Sequence, residues 1–132
     1  MRSPCYCATL RAAARKATAL YDATLAPAGV NVAQYSLLRR IERRGTVSLT
    51  ELGRLAELDR STVGRNTRVL ERLGLVRLAV ADDQREAAVS LTPKGVETLR
   101  SAAPMWEAAQ RRLEGALGAE GAETLRALAR SL

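Results

Sequence analysis

The 132-residue sequence has no histidine and no phenylalanine, only two cysteines and four prolines, and aromatic side chains at 3% of positions. Each shortage closes a route. Without imidazole there are no Ser–His or Cys–His nucleophile pairs and no histidine-ligated metal site. That weighs against a hydrolase, and the adjacent Asp82 and Asp83 read as solvated turn residues rather than as a carboxylate pair. Neither enzymatic activity nor a bound cofactor or metal is expected. Few aromatics beside abundant Ala and Leu favour close-packed helices over a β-sandwich. No apolar stretch approaches the ~20 residues that a membrane span requires. Arg11, Arg15 and Lys16 interrupt the region where a signal core would lie. The expectation is a cytoplasmic protein with no membrane association. Acids are scarce too: 14 Asp and Glu stand against 21 Lys and Arg, giving a net charge of +7. Such an excess suits a polyanionic partner, although a basic membrane-surface protein would share its sign.

What is present centres on Ser48–Gly95. Ser48-Leu-Thr-Glu51 has the spacing of a capping box and opens a short helix to about Glu57. Asp59 is a good N-cap for a second helix, Arg60 to Leu73, which Gly74 stops. Two β-type runs follow, Leu75–Val80 and Ala87–Leu91, joined through residues 81–86. Helix, turn, helix and hairpin together read as a winged helix-turn-helix, whose second helix enters the DNA major groove. In that helix Val63, Leu70 and Leu73 fall near one face, while Ser61, Arg65, Arg68 and Arg72 form another. Guanidinium forks suit phosphates and guanine edges, so Arg65 and Arg68 are expected to matter most, with Ser61, Thr62 and Asn66 completing the groove contacts and Asn66 able to read adenine. An ordinary solvated face would look the same in isolation; its flanking helix and hairpin favour the DNA reading. At the hairpin tip Arg85 is placed to enter a narrow minor groove, with Asp83 pairing to it or shaping the turn.

Outside this module the pattern stays helical. Leu10, Ala14, Ala17, Tyr21 and Leu25 recur at helical spacing before Pro27 and Gly29. Asn31 can cap a helix from Val32 to about Arg43, with Tyr35, Leu38 and Ile41 inward and Arg39, Arg40, Arg43 and Arg44 clustered at its end. Solvation and capping are the simpler reading of that cluster; DNA contact is the other. Thr92 and Pro93 begin another helix, whose apolar stripe runs through Val96, Leu99, Ala103, Trp106, Leu113 and Leu117. Pro104 is expected to kink or loosen it. Gly118 and Gly121 are expected to break it before a last stripe of Leu125, Leu128 and Leu132. These terminal helices carry more apolar surface than one layer over the module needs. A second copy of the chain is the simplest cover, and Trp106 reads as core or dimer interface rather than a ligand platform. The expected organisation is a dimerisation helix in 1–30, the DNA-binding module in 31–92 and dimerisation helices in 93–132. The fold class is mainly α with a small β-hairpin wing. Such a dimer would read a pseudo-palindromic operator on double-stranded DNA, its recognition helices roughly 34–36 Å apart. A winged-helix protein-interaction module without DNA binding is the alternative.

The run Leu58-Asp-Arg-Ser-Thr-Val-Gly-Arg-Asn66, the ending Leu70-Glu-Arg-Leu-Gly-Leu-Val76, and the wing signature Asp83-Gln-Arg85 with Leu91-Thr-Pro-Lys-Gly95 resemble the MarR family of bacterial transcription regulators. The resemblance runs from about Cys7 to Leu132. It implies a homodimeric regulator, most often a repressor, with a helical base built from the chain ends. It also implies a pocket between base and lobes, for which a small phenolic or aromatic ligand is the class to expect. One branch, the OhrR-type organic peroxide sensors, carries a reactive cysteine early in its first helix. Aligned through Gln34-Tyr35, that cysteine falls on Cys7 and a tyrosine that hydrogen-bonds it falls on Tyr21. A second tyrosine of that branch falls on Val32, so the match is incomplete. A helix start and the nearby Arg11 favour a thiolate. Two incidental cysteines in a reducing compartment are the other reading, and Cys5-x-Cys7 without a third ligand is a weak metal signal.

Overall fold

Asn31 opens the best-capped helix in the chain. Its side chain accepts from the Gln34 amide while the Gln34 side chain accepts from the Asn31 amide, each at 2.9 Å. This is a complete capping box, where the sequence had suggested only a cap. The helix it starts, α2 (Val32–Arg44), forms the centre of the molecule. Tyr35, Leu37, Leu38 and Ile41 on its inner face are all buried. The computed structural model describes residues 2–80 and 87–132.

Around α2 the chain places α1 (Tyr6–Leu25), a 3-10 turn (Ala26–Ala28), β1 (Thr46–Ser48), α3 (Leu49–Ala56), α4 (Arg60–Arg72), β2 (Val76–Val80), β3 (Ala87–Leu91) and α5 (Pro93–Ser131). The mainly helical fold with a β wing is as expected. The hairpin, however, is part of a three-stranded antiparallel sheet in the order β1-β3-β2, with Val47 opposite Val89 and Leu78 opposite Val89 on the other side. β1 is three residues long and lies between a helix end and a helix cap, too short for alternation to reveal. Its existence depends on β3, some forty residues later.

Ser48 then caps α3, its hydroxyl accepting from the Glu51 amide at 3.0 Å. Only half of the expected capping box forms, because the Glu51 carboxylate turns outward to Arg54 and Arg44. Two guanidiniums on a half-buried carboxylate outcompete the return bond to the backbone.

The turn between α3 and α4 is held tightly. Glu57 takes the left-handed conformation (φ 56°, ψ 42°), and its amide bonds back to Arg54. Gly53 faces Leu58 and Val63 so closely that a Cβ would lie 3.0 Å from the Leu58 carbonyl oxygen and 3.4 Å from the Val63 side chain. Val63, Thr67 and Leu70 then close the inner face of α4 over Leu52 and the α2 core. Thr67 is fully buried, and its hydroxyl is satisfied by the Val63 carbonyl at 2.7 Å.

In α5 the dihedrals remain helical through Pro104 and through Gly121; within the run only Gly118 departs, at φ 72° and ψ 170°. The expected break at Gly121 is absent, and Pro104 does not end the helix. Pro104 is exposed, so the carbonyl it leaves unpaired has water available. Gly118 alone can adopt its dihedrals without a Cβ penalty, and it turns residues 119–131 onto a new course. Leu99, Ala102 and Ala109 are the buried residues of α5 beyond Gly95, while Trp106 and Leu113 are partly covered.

Candidate nucleic-acid interface

The outer face of α4 is built from its cap upward. The Asp59 carboxylate accepts from the Thr62 amide at 2.7 Å and from the Ser61 hydroxyl at 2.9 Å. These bonds, the backbone one first, hold its carboxyl below the usual carboxylate range. The helix therefore starts from a fixed point, and successive side chains leave it at about 100° intervals. Ser61, Arg65, Arg68 and Arg72 then share about 60° of arc, on the side opposite buried Val63, Thr67 and Leu70. All four are exposed.

Arg65 touches only the Thr62 hydroxyl, at 3.4 Å. Among the described residues no carboxylate lies within salt-bridge distance of Arg65, Arg68 or Arg72; the ion pairs there involve Arg44, Arg54, Arg100, Arg126 and Arg130. Three guanidiniums without a counter-charge among the described residues, on one exposed helix face, have the chemistry to attract a polyanion. At ~20 Å long, a thirteen-residue helix fits a B-DNA major groove.

The other sequence candidates are placed less uniformly. Thr62 is half-buried at the edge of the stripe. Asn66 lies about 130° around the helix from the centre of the stripe, half-buried, in a cleft of about 120 Å³ shared with Gln34 and Leu37 of α2 and its cap Asn31. Its amide lies on the flank of α4 rather than at the centre of the basic face. Arg85 and Asp83 fall in residues 81–86, outside the described residues.

The basic cluster of α2 separates into individual roles. Arg40 donates to the Leu55 carbonyl at 3.2 Å and to the Ser36 hydroxyl, tying α2 to α3. Arg44 pairs with Glu51. The Arg39 guanidinium lies 4.4 Å over the Trp106 ring, which also stacks on Tyr35 at 6.0 Å between centroids. Two clefts, about 280 and 450 Å³, open on either side of this stack. Tyr35, Arg39 and Trp106 line both; Glu42, Arg100 and Glu107 are the other charged residues of the first, and Arg40 and Arg43 belong to the second. Burial pushes the Tyr35 hydroxyl upward against the opposing pull of Arg39, so it stays protonated at neutral pH. Sequence spacing did not reveal this stack, because its members lie on helices some seventy residues apart.

Cys5 and Cys7 are exposed free thiols at the cap and in the first turn of α1. Tyr21 is fourteen residues further along the same helix, about 21 Å away. Within one chain these two side chains do not meet. The buried Tyr21 hydroxyl instead donates to the Gln110 side chain of α5, and burial raises its pKa, with Glu114 adding to the effect.

A family model described as MarR family matches residues 28–86, from just before α2 to the wing. An HTH-type transcriptional regulator of Bacillus subtilis (strain 168), YhbI, whose own function is uncharacterised, is 30% identical over 125 residues, covering 94% of this chain and 81% of its own. Among solved structures, the M. tuberculosis transcriptional regulator MosR, crystallised in complex with DNA, is 33% identical with a TM-score of 0.87, over 96% of this chain and 92% of that one. A probable transcriptional regulator from Pseudomonas aeruginosa is 28% identical with a TM-score of 0.84, over 94% of each chain. The helix-turn-helix, its basic outer face and these relatives agree: the chain belongs to the MarR family of transcriptional regulators.

Proposed function

We propose that two copies of this chain form a cytoplasmic, sequence-specific repressor that binds a pseudo-palindromic operator and leaves it when a small molecule or an oxidant acts on the base. The observation that carries the DNA-binding part is the face of Ser61, Arg65, Arg68 and Arg72, exposed and without a carboxylate partner among the described residues. Arg65 and Arg68 lie where base edges would be read. Ser61 and Thr62 add hydroxyls at the helix start, Asn66 flanks them, and Arg85 supplies the wing contact. Location in the cytoplasm follows from the DNA partner, and no described helix is long and apolar enough to cross a membrane.

The homodimer is supported by apolar surface at the two chain ends. Tyr6 is 74% exposed, Leu10 44%, Leu125 46% and Leu132 92%. The effector site is the pair of clefts around Trp106, a residue that its spacing alone had favoured as core or dimer interface over a ligand platform. A flat phenolic or aromatic anion would find a ring face, the Tyr35 ring and the guanidiniums of Arg39 and Arg43 there. The oxidant route runs through Cys7, and since Tyr21 of the same chain is too far, a tyrosine partner would have to come from the second copy.

A gel shift on the chain's own upstream DNA tests this. Arg65→Ala or Arg68→Ala should weaken binding by ~1–3 kcal/mol and relax specificity, and Arg85→Ala should weaken it evenly across sequences. Affinity should fall steeply as salt rises. Binding that ignores both salt and these arginines would favour a protein partner instead.

A further inference from the structure

The first turn of α5 takes hold of the end of α4. The carbonyls of Leu73, Gly74 and Leu75, which follow α4 in succession, each receive a donor from residues 92–94. Lys94 Nζ reaches the Leu73 oxygen at 2.8 Å, Thr92 Oγ1 reaches Gly74 at 2.6 Å, and the Thr92 amide reaches Leu75 at 3.1 Å. The Lys94 stem lies across Gly74, with its Cδ 3.7 Å from where a Gly74 Cβ would be. Gly95 completes the approach, since a Cβ there would collide with the Leu75 carbonyl oxygen. Thr92 Oγ1 also accepts from the Gly95 amide at 3.1 Å, so one hydroxyl caps α5 and holds the turn after α4 together.

We infer that Thr92 and Lys94 are positioning residues for the recognition helix: they fix the end of α4 to the helix that leads into the base, and Lys94 acts through the Leu73 carbonyl rather than on DNA phosphate. A lysine beside a DNA-binding module would ordinarily be assigned to phosphate. Here its ammonium is engaged by the last turn of α4, where a cation also complements the helix dipole. The same three bonds give a rigid route by which movement of α5 would reach α4. The inference rests on the DNA-binding reading above.

The test compares Lys94→Met, Lys94→Arg, Thr92→Val and Thr92→Ser on the upstream fragment, across a salt series. Losing one of these bonds should weaken operator binding roughly three- to tenfold. The Thr92→Val slope of log affinity against log salt should match wild type, and that of Lys94→Met should change by much less than 1 per subunit. Lys94→Arg and Thr92→Ser should restore binding. A Lys94→Met slope shallower by roughly 0.9 per subunit would mark a phosphate contact and overturn the inference. So would undiminished binding by both Lys94→Met and Thr92→Val. Hydrogen exchange on the free protein gives a readout without DNA: the Leu73, Gly74 and Leu75 amides should exchange faster in Lys94→Met, and unchanged exchange counts against the latch. A wild-type chain that binds no fragment sinks the DNA-binding reading itself, whereas a binding wild type with Lys94→Met and Thr92→Val both unaffected sinks only this inference.

Discussion

Replacing Gly95 with alanine should destabilise the protein, although the same exchange inside most helices stabilises it. A helical glycine normally costs about 1 kcal/mol relative to alanine, so the intrinsic effect favours the variant. At Gly95 the methyl would enter the envelope of the Leu75 carbonyl oxygen, with the Leu75 carbon at 3.1 Å and Leu91 Cδ2 at 3.4 Å. The principal neighbour is backbone, so no rotamer change relieves the clash. Overpacking of this kind costs roughly 1–3 kcal/mol, at the upper end where nothing flexible can yield. Moving the two segments apart would also stretch the Thr92–Leu75 backbone bond, worth roughly 0.5–1.5 kcal/mol. The net expectation is a loss of about 2–3 kcal/mol, read by urea denaturation at fixed protein concentration because dimerisation would couple to folding. Gly64→Ala is the internal control: nothing lies within 4 Å of a Cβ there, and the backbone is helical. It should gain up to about 1 kcal/mol. A Gly95→Ala variant as stable as Gly64→Ala would refute the close approach and the latch built on it.

Glu57→Gly should leave stability unchanged or raise it by up to about 1 kcal/mol, since Glu57 is a non-glycine residue at positive φ; a measured loss above 1 kcal/mol would mean that its side chain matters more than its backbone. Asp59 has a carboxyl held below its unfolded value, so its contribution is present above the ordinary carboxylate pKa of about 4 and fades as pH falls through the lower folded value. Asp59→Asn should therefore flatten the acid limb of the stability curve below about pH 4, and an unchanged limb would remove Asp59 from the account. If peroxide releases the protein from its operator through a thiol, Cys7→Ser should abolish that release, and a variant that still responds fully would exclude Cys7.

The sequence alone determined the local structure: which segments are helices, where most of them start, and which side chains lie outward on α4. Those properties depend on spacing and on caps such as Asn31, Asp59 and Thr92, each acting within three residues of itself. The match to a known family was legible for the same reason, since its motifs are short contiguous runs. Tertiary structure decided what distant segments do to one another. It added β1 to the sheet, set Arg39 on Trp106 and gave Lys94 to the end of α4. Within one chain it also left Tyr21 bonded to Gln110 rather than near Cys7. In each case only the packing of elements far apart in the chain made the partner available.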